Sequence, residues 1–352
     1  MSSTIWYTER QASGVWPYPF IDVTAKTSQH GPSLDVIFTA CAANQGGDLH
    51  VLASDVAGKL WHTILLANGN WPFPFGDLQV AASSNIGSIL FTACAANQSG
   101  DLHVLALDVN RKLWHTIRQA SGIWPAPFED VQAKTSQHGP NIGPIDWVAC
   151  ATNSKGDLHV LATDANWKLW HTIRLANGGW SDAFRDVQAQ LPVQHTSTGI
   201  GLSLGIGLIS IVACATNSGD DLHVLALDRN QKLWHTIRQA NSTWADPFGD
   251  VQAQTSRHLT NIIGGLSPNI GKIANVASAT NPGGDLHVLA LDVNWKLWHT
   301  IRLNNGAWPY AFGDVQAQTG QHGPDVNPIY EVACATNPSG DLHVCIANGV
   351  RI

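Results

Sequence analysis

Four kinds of side chain recur at fixed places in a repeated segment of the chain: an arginine, a tryptophan, an aspartate and a histidine. The arginines end a Leu-Trp-His-Thr-Ile-Arg segment, and the tryptophans follow the next Gly- or Ser-bearing turn. The aspartates begin an Asp-Leu-His segment that ends with the histidine. Together they offer donors and acceptors for vicinal hydroxyls or an acetamide, and an apolar indole face, which is the chemistry of a saccharide site. The candidate carbohydrate-binding residues are Arg10, Arg118, Arg174, Arg238, Arg302, Trp16, Trp124, Trp180, Trp244, Trp308, Asp48, Asp101, Asp157, Asp221, Asp285, Asp341, His50, His103, His159, His223, His287 and His343.

Repetition of these residues argues against catalysis and against a metal site. An enzyme concentrates a unique set of polar groups at one place, whereas every candidate here occurs five or six times. No pair among the sixteen histidines has the helical spacing of a zinc site, and no segment matches an EF-hand loop. The sequence therefore predicts a protein that is not an enzyme and that holds neither a metal ion nor a cofactor.

The elements that must position these residues follow from the repeat itself. The Asp-Leu-His aspartates recur after 53, 56, 64, 64 and 56 residues, and the first five copies are each followed by a Leu-Trp-His segment. The partner of the sixth copy stands at the start of the chain, as Ile5, Trp6, Tyr7 and Thr8. Because the chain ends halfway through a repeat that its own beginning completes, the repeats are predicted to close into a circle.

Each copy contains four runs typical of strands. In the second copy they are 90–95, 102–107, 112–118 and 128–133, separated by turn residues, and no run is predicted to be helical. Four short antiparallel strands repeated radially describe an all-β, six-bladed β-propeller whose last blade is closed by the N- and C-terminal strands. The predicted blades of this single domain are 36–80, 89–133, 146–190, 210–254, 274–318, and 330–352 with 4–25.

Alternating strand direction sorts the loops onto two rims. The turns between first and second strands and between third and fourth strands share one rim, where the repeats barely vary. On that rim the Asn-x-x-Gly-Asp segment is also explained as a hairpin turn. The tryptophans that follow the third strand are open to two interpretations, edge packing or exposed stacking platforms. The Trp-His-Thr tryptophans are predicted to be core, and their histidines to bond backbone or a neighbouring hydroxyl between blades.

One copy departs from this pattern. The first has Leu65 where the others have arginine, and its following connection lacks the Gln-His pair found at Gln29, Gln137, Gln194 and Gln321. The fourth copy has Arg257-His258 there. If arginine or the loop histidine contacts the ligand, the ring has five competent pockets and one defective pocket. Drift would explain the joint loss equally well.

Composition limits the partners and the compartment. The 352 residues carry a formal net charge of −7 with no basic run, which disfavours nucleic acid. No stretch approaches the roughly 20 apolar residues of a membrane span, so no membrane insertion is expected. The start, MSSTIWYTER, lacks a signal peptide, which predicts a cytoplasmic protein or one released without a signal peptide. The six cysteines are predicted to be buried free thiols, five of them in the innermost strands.

Over essentially its whole length the chain resembles the tectonin-like propeller lectins, through GDLHVLALD, KLWHTIR, NGxW and FGDVQAQ. The resemblance is greatest to six-bladed mushroom members that recognise terminal, non-reducing N-acetylglucosamine. It implies multivalent binding of glycans or glycoproteins with that sugar, in pockets between neighbouring blades, and agglutination as the result. Related bacterial propellers with similar repeats resemble fucose binders, so fucose is the alternative sugar. A protein-interaction propeller is the alternative class, and it predicts a rim that differs from blade to blade.

Overall fold

The computed structural model of the chain describes residues 3–27, 34–84, 86–139, 141–180, 182–192, 206–256, 270–319 and 326–349. These residues form six four-stranded antiparallel sheets arranged in a ring, with each innermost strand beside the innermost strands of its two neighbours. The predicted six-bladed propeller is therefore confirmed. We number the blades one to six in chain order and count the strands of each blade outwards from the axis.

The strands have nearly the same length in every blade. The first strands are Val36–Ala43, Ile89–Ala96, Ile145–Thr152, Ile209–Thr216, Ile273–Thr280 and Ile329–Thr336. The second strands are Leu49–Asp55, Leu102–Asp108, Leu158–Asp164, Leu222–Asp228, Leu286–Asp292 and Leu342–Asn348. The third strands are Leu60–Leu65, Leu113–Arg118, Leu169–Arg174, Leu233–Arg238, Leu297–Arg302 and Thr4–Arg10. The fourth strands are Gly76–Asp77, Glu129–Asp130, Arg185–Asp186, Gly249–Asp250, Gly313–Asp314 and Ile21–Asp22.

Both ends of the chain meet in the sixth blade, which we call the closing blade. Its third strand, Thr4–Arg10, pairs with Leu342–Asn348 along its whole length, from Thr4 opposite Asn348 to Arg10 opposite Leu342. The prediction that the terminal strands close the ring is confirmed. Residues 350–352, which the sequence assigns to this blade, lie outside the described residues.

A short helix follows each fourth strand, so the prediction of no helix was wrong. The helices are Val23–Thr27, Leu78–Ala81, Val131–Thr135, Val187–Gln190, Val251–Ser256 and Val315–Thr319, and Ser136–His138 adds a 3-10 turn. In the second blade Asp130 caps its helix, because its Oδ1 accepts from Ala133 N at 2.9 Å. Gln132 Oε1 then accepts from Leu113 N at 3.1 Å, which ties the helix to the third strand. These helices replace most of the predicted fourth strand, which is only two residues long.

The core is built between blades. The second strands of the first five blades are buried along their whole length, and each cluster of buried apolar residues joins two neighbouring blades. The first strands surround an axial cavity of about 500 Å³, lined by small residues such as Cys41, Ala42, Cys150 and Cys214. All six cysteines are free; five are buried and Cys94 is half-buried. None of the described helices is long and apolar enough to span a membrane.

A series of threonine hydroxyls links the blades around the axis. Thr152 Oγ1 donates to the carbonyl of Ala96 in the preceding blade at 2.6 Å. Thr216, Thr280 and Thr336 make the same bond to the preceding threonine. The first and second blades have Ala43 and Ala96 at this position and have no hydroxyl to donate.

The Trp-His-Thr tryptophans differ from the core role predicted for them. Only Trp298 is buried, and the others are half-buried. In the second blade Trp114 Nε1 donates to Asp108 Oδ2 at 3.0 Å, while Lys112 Nζ lies 4.6 Å from the centroid of the same ring. A lysine at one face and a carboxylate at the edge explain why these rings remain near the surface. In the closing blade Asn348 replaces the aspartate, and Trp6 Nε1 has no partner among the described residues.

Candidate functional site

The predicted binding residues meet between blades, where the arginine of one blade lies beside the Asp-Leu-His residues of the preceding blade. Asp48 and Arg118 interact electrostatically, and the pKa of His50 is lowered to about 4 by burial and then by the Arg118 charge. The same pairing of histidine with the next arginine recurs as His103 with Arg174, His159 with Arg238, His223 with Arg302, and His287 with Arg10. We call these five interblade sites the arginine clefts.

The two turns predicted to share a rim do so, and the clefts open there. Asp48 Oδ1 accepts from Ala67 N at 2.9 Å, which joins the turn between first and second strands to the turn between third and fourth strands. Asp48 Oδ2 accepts from Asn44 Nδ2 at 3.3 Å. Both carboxylate oxygens thus hold the rim together. The same bonds to Oδ1 recur at Asp101, Asp157, Asp221, Asp285 and Asp341. These aspartates therefore have a structural role at the rim.

Histidines pair within each of the first five blades. His159 Nδ1 lies 3.1 Å from His171 Nε2, and the two rings stack, because the antiparallel register places them as diagonal neighbours on one face of the sheet. The pair differs from the predicted bond to backbone or hydroxyl. Burial lowers the pKa of His159 to about 4 and holds the pKa of His171 well below its usual value, so both rings are neutral at neutral pH. The other pairs are His50 with His62, His103 with His115, His223 with His235, and His287 with His299.

The tryptophans that follow the third strand pack against these pairs across the cleft. Trp244 meets His171 of the preceding blade edge to face, with ring centroids 6.1 Å apart at 89°. Trp16, Trp180, Trp244 and Trp308 are only 5–8% exposed, whereas Trp71 and Trp124 are half-buried. Of the two interpretations left open by the sequence, edge packing describes four rings. Each cleft has an indole wall of limited exposure.

The arginines supply the accessible polar chemistry of the clefts. Burial lowers the pKa of Arg118, which remains half-exposed at the end of its strand. A glycine of the next turn makes room for the guanidinium, since a Cβ on Gly122 would lie 3.1 Å from Arg118 Nη2. Gly122 also has φ +93, which only glycine adopts without strain. The turn at Gly122 therefore leaves space for the Arg118 guanidinium of the same blade.

Sequence reasoning missed a variable position that faces the arginine of the next blade. It lies two residues after the rim tryptophan and is held by a hydrogen bond from a third-strand threonine to its carbonyl, as in Thr172 Oγ1 to Asp182 O at 2.8 Å. Asp182 interacts electrostatically with Arg238, and Tyr310 with Arg10. The residues at this position are Tyr18, Phe73, Ala126, Asp182, Asp246 and Tyr310. The sequence feature that could have identified this position is its variation within an otherwise constant repeat.

The cleft between the second and third blades holds a further residue that the sequence did not single out. Glu129 Oε1 accepts from His115 Nδ1 and from Trp180 Nε1, both at 3.1 Å, and lies 3.5 Å from Arg174 Nε. Burial acts to raise the pKa of Glu129, but these hydrogen bonds and the Arg174 charge lower it to about 2. This cleft therefore contains its own anion.

The sixth site, between the closing blade and the first blade, differs at three positions, and we call it the closing cleft. Leu65 replaces the arginine, Tyr7 replaces the second histidine, and Glu9 replaces the isoleucine of the other third strands. Tyr7 lies 2.7 Å from His343 Nδ1 and donates to Glu9 Oε2 at 2.9 Å. Four histidines of the connections between blades lie outside the described residues: His30, His195, His258 and His322.

No protein-family model and no curated protein sequence matches this chain. Solved structures do match. AofleA from Arthrobotrys oligospora is similar over 91% of this chain and 85% of its own, with 12% identity and a TM-score of 0.54. A fucose-specific lectin from Aleuria aurantia is similar over 88% and 89%, with 11% identity and a TM-score of 0.53. The SapL1 lectin, solved in complex with alpha methyl fucoside, is similar over 86% and 87%, with 14% identity and a TM-score of 0.51. At these identities the likeness establishes the fold alone.

Proposed function

We propose that this protein is a multivalent carbohydrate-binding lectin that takes terminal sugars in its arginine clefts. The observation that carries the proposal is the recurrence of one partly buried arginine beside an indole wall at five interblade sites on one rim. A guanidinium donates to sugar hydroxyls or to an acetamide carbonyl, and the indole offers an apolar edge. A catalytic site would instead need a unique set of polar groups at one place, whereas here the same groups recur around the ring.

Two sugars are the leading ligands. The sequence resemblance favours terminal N-acetylglucosamine, whereas the structural neighbours named as fucose-specific or solved with a fucoside favour fucose at least as strongly. Both are neutral monosaccharides. In either case the ring gains from repetition: a millimolar site contributes only about −4 kcal/mol, but several sites on one rigid rim raise avidity by roughly 10² to 10⁴.

The test is binding of fucose and N-acetylglucosamine by isothermal titration and of their clustered glycans on an array. Replacing Arg10, Arg118, Arg174, Arg238 and Arg302 together by Ala is expected to abolish binding and agglutination. The matched control is Arg229→Ala, which removes a cation from the opposite rim, where Arg229 stacks 5.0 Å from the Trp167 ring. If the fivefold variant does not fold, Arg118→Ala alone is expected to lower the number of sugars bound per ring by one.

Undiminished sugar binding by a folded fivefold variant would refute the arginine clefts as the site. If neither sugar binds the unsubstituted chain and proteins are captured instead, the alternative of a protein-interaction propeller is favoured.

A further inference from the structure

The closing cleft is a cavity that has carboxylates but lacks the arginine found in its five counterparts. It has a volume of about 530 Å³, in the range of about 300–1,000 Å³ that small-molecule sites occupy. Its walls include Tyr7, Tyr18, Leu65 and Trp71, and its charged lining residues are the carboxylates Glu9 and Asp341, with no arginine or lysine among the described residues that line it. Without the arginine, the closing cleft is therefore lined by carboxylates and aromatic rings.

Hydrogen bonding leaves one carboxylate free to accept from a ligand. Asp341 is engaged at both oxygens, by Ala12 N at 2.8 Å and by Asn337 Nδ2 at 3.1 Å. Glu9 accepts from Tyr7 through Oε2, while its Oε1 has no hydrogen bond within the described part of the chain. The Glu9 side chain is 24% exposed, so a carboxylate without a cation is held in a partly desolvated cavity.

The order of donors fixes the character of this site. A phenol has one proton, and Tyr7 gives it to Glu9, so His343 Nδ1 must donate to the Tyr7 oxygen. Burial lowers the pKa of His343 to about 4, and burial with the nearby Glu9 charge raises the pKa of Tyr7. Neither group supplies a positive charge at neutral pH. The relay from His343 through Tyr7 ends at Glu9 and leaves the cleft with net negative charge.

The aromatic walls suit the same kind of ligand. Trp71 packs edge to face against Tyr7, with centroids 6.1 Å apart, and Tyr18 is 59% exposed beside them. Faces of Trp and Tyr attract ammonium groups, and the attraction strengthens where water is excluded. Leu65 keeps an apolar contact where an arginine would repel a cation. Together with Glu9 these groups provide both a counter-ion and stacking surfaces.

We propose that the closing cleft binds an organic ammonium ion on a sugar-sized body, a hexosamine with a free amine, with Glu9 as its counter-ion. This site is separate from the arginine clefts, which in the proposed function take neutral sugars. The probe is D-glucosamine, titrated calorimetrically into the whole chain at pH 6.5, where an amine of ordinary pKa is protonated. The titration is repeated with the arginine clefts saturated with fucose or N-acetylglucosamine.

One glucosamine is expected to bind per ring in both titrations, more weakly as salt is added. Glu9→Gln, which keeps the shape of the side chain, is expected to weaken binding at least about tenfold, and Leu65→Arg is expected to abolish it. Asp146→Asn is the matched control, because it removes a carboxylate that pairs with Arg111 on the opposite rim and leaves glucosamine affinity unchanged.

Glucosamine that fails to bind, that is displaced by the neutral sugars, or that binds Glu9→Gln as tightly as the unsubstituted chain would overturn the proposal. Glucosamine binding without any neutral-sugar binding would refute the proposed function and leave the closing cleft standing. The reverse result would refute only the closing cleft.

Discussion

The cleft between the second and third blades and the closing cleft share one backbone frame but hold their charges in opposite ways. In the former, Arg174 lies beside Glu129, so a cation and an anion are both present. In the latter, Leu65 takes the arginine position, and no arginine or lysine lies beside Glu9 among the described residues that line the cleft. Strand register, rim aspartates and turns are unchanged between them. The repeat therefore fixes the frame, and three side chains, Leu65, Tyr7 and Glu9, give the closing cleft its different chemistry.

Acid is expected to affect the histidine-paired blades most strongly. Burial lowers the pKa of His50, His159, His223 and His287 to about 4, below the ordinary value near 6.5 of the unfolded chain. The contribution of each neutral histidine to the free energy of unfolding is therefore fully present above pH 6.5 and is lost as the pH falls towards 4. At pH 5 the loss is roughly 2 kcal/mol per histidine. Urea unfolding at pH 7.5 and at pH 5 measures this loss.

The closing blade lacks a histidine pair, since its third strand carries Tyr7 in place of the second histidine. Tyr7→His is expected to steepen the pH dependence further. A midpoint in urea that is the same at both pH values would show that the histidines are not held neutral by the fold.

Conversion of the closing cleft is expected to have an intermediate effect, on binding alone. Leu65→Arg combined with Glu9→Ile restores two of the three residues that distinguish the arginine clefts, including the arginine, so one additional neutral sugar should bind per ring in a calorimetric titration. Leu65→Arg alone should add less, because Glu9 would neutralise the new guanidinium, as Glu129 faces Arg174. An unchanged number of sugars in the double variant would mean that the arginine is not the deciding residue.

The smallest expected effect concerns the Trp-His-Thr tryptophans. Trp114 Nε1 donates to Asp108, whereas Trp6 Nε1 in the closing blade has no partner among the described residues. Asn348→Asp should supply the missing acceptor and raise the free energy of unfolding by about 1 kcal/mol. The matched change, Asp108→Asn, keeps an oxygen for the turn amides and should lower it by a similar amount. Urea titration of both variants measures the pair, and shifts of the same sign would contradict the assignment.

The ring could be predicted from the sequence because six copies with one offset half-copy admit few arrangements. The helices could not, since Val131–Thr135 is too short to show a helical period and is stabilised by Asp130 and by the contact of Gln132 with another strand. The histidine pairs depend on cross-strand register, which the repeat does not reveal. Leu65 was found as a departure, but Tyr7 and Glu9 gain their meaning only when two blades from opposite ends of the chain are brought together.

The threonine hydroxyls at the axis join five of the six blades in one series. From Thr152 to Thr336 each blade is fastened to the one before it, so the second to sixth blades form one continuous span. The first blade stands outside this series, because Ala43 has no hydroxyl to donate to the closing blade and Ala96 has none to donate to the first blade. Other bonds join that blade to its neighbours, since Tyr330 Oη and Ser3 Oγ donate to Val36 O and Ile89 N donates to Gly58 O. Where the chain ends meet, the ring is thus held by bonds to a strand end and not by the axial threonines.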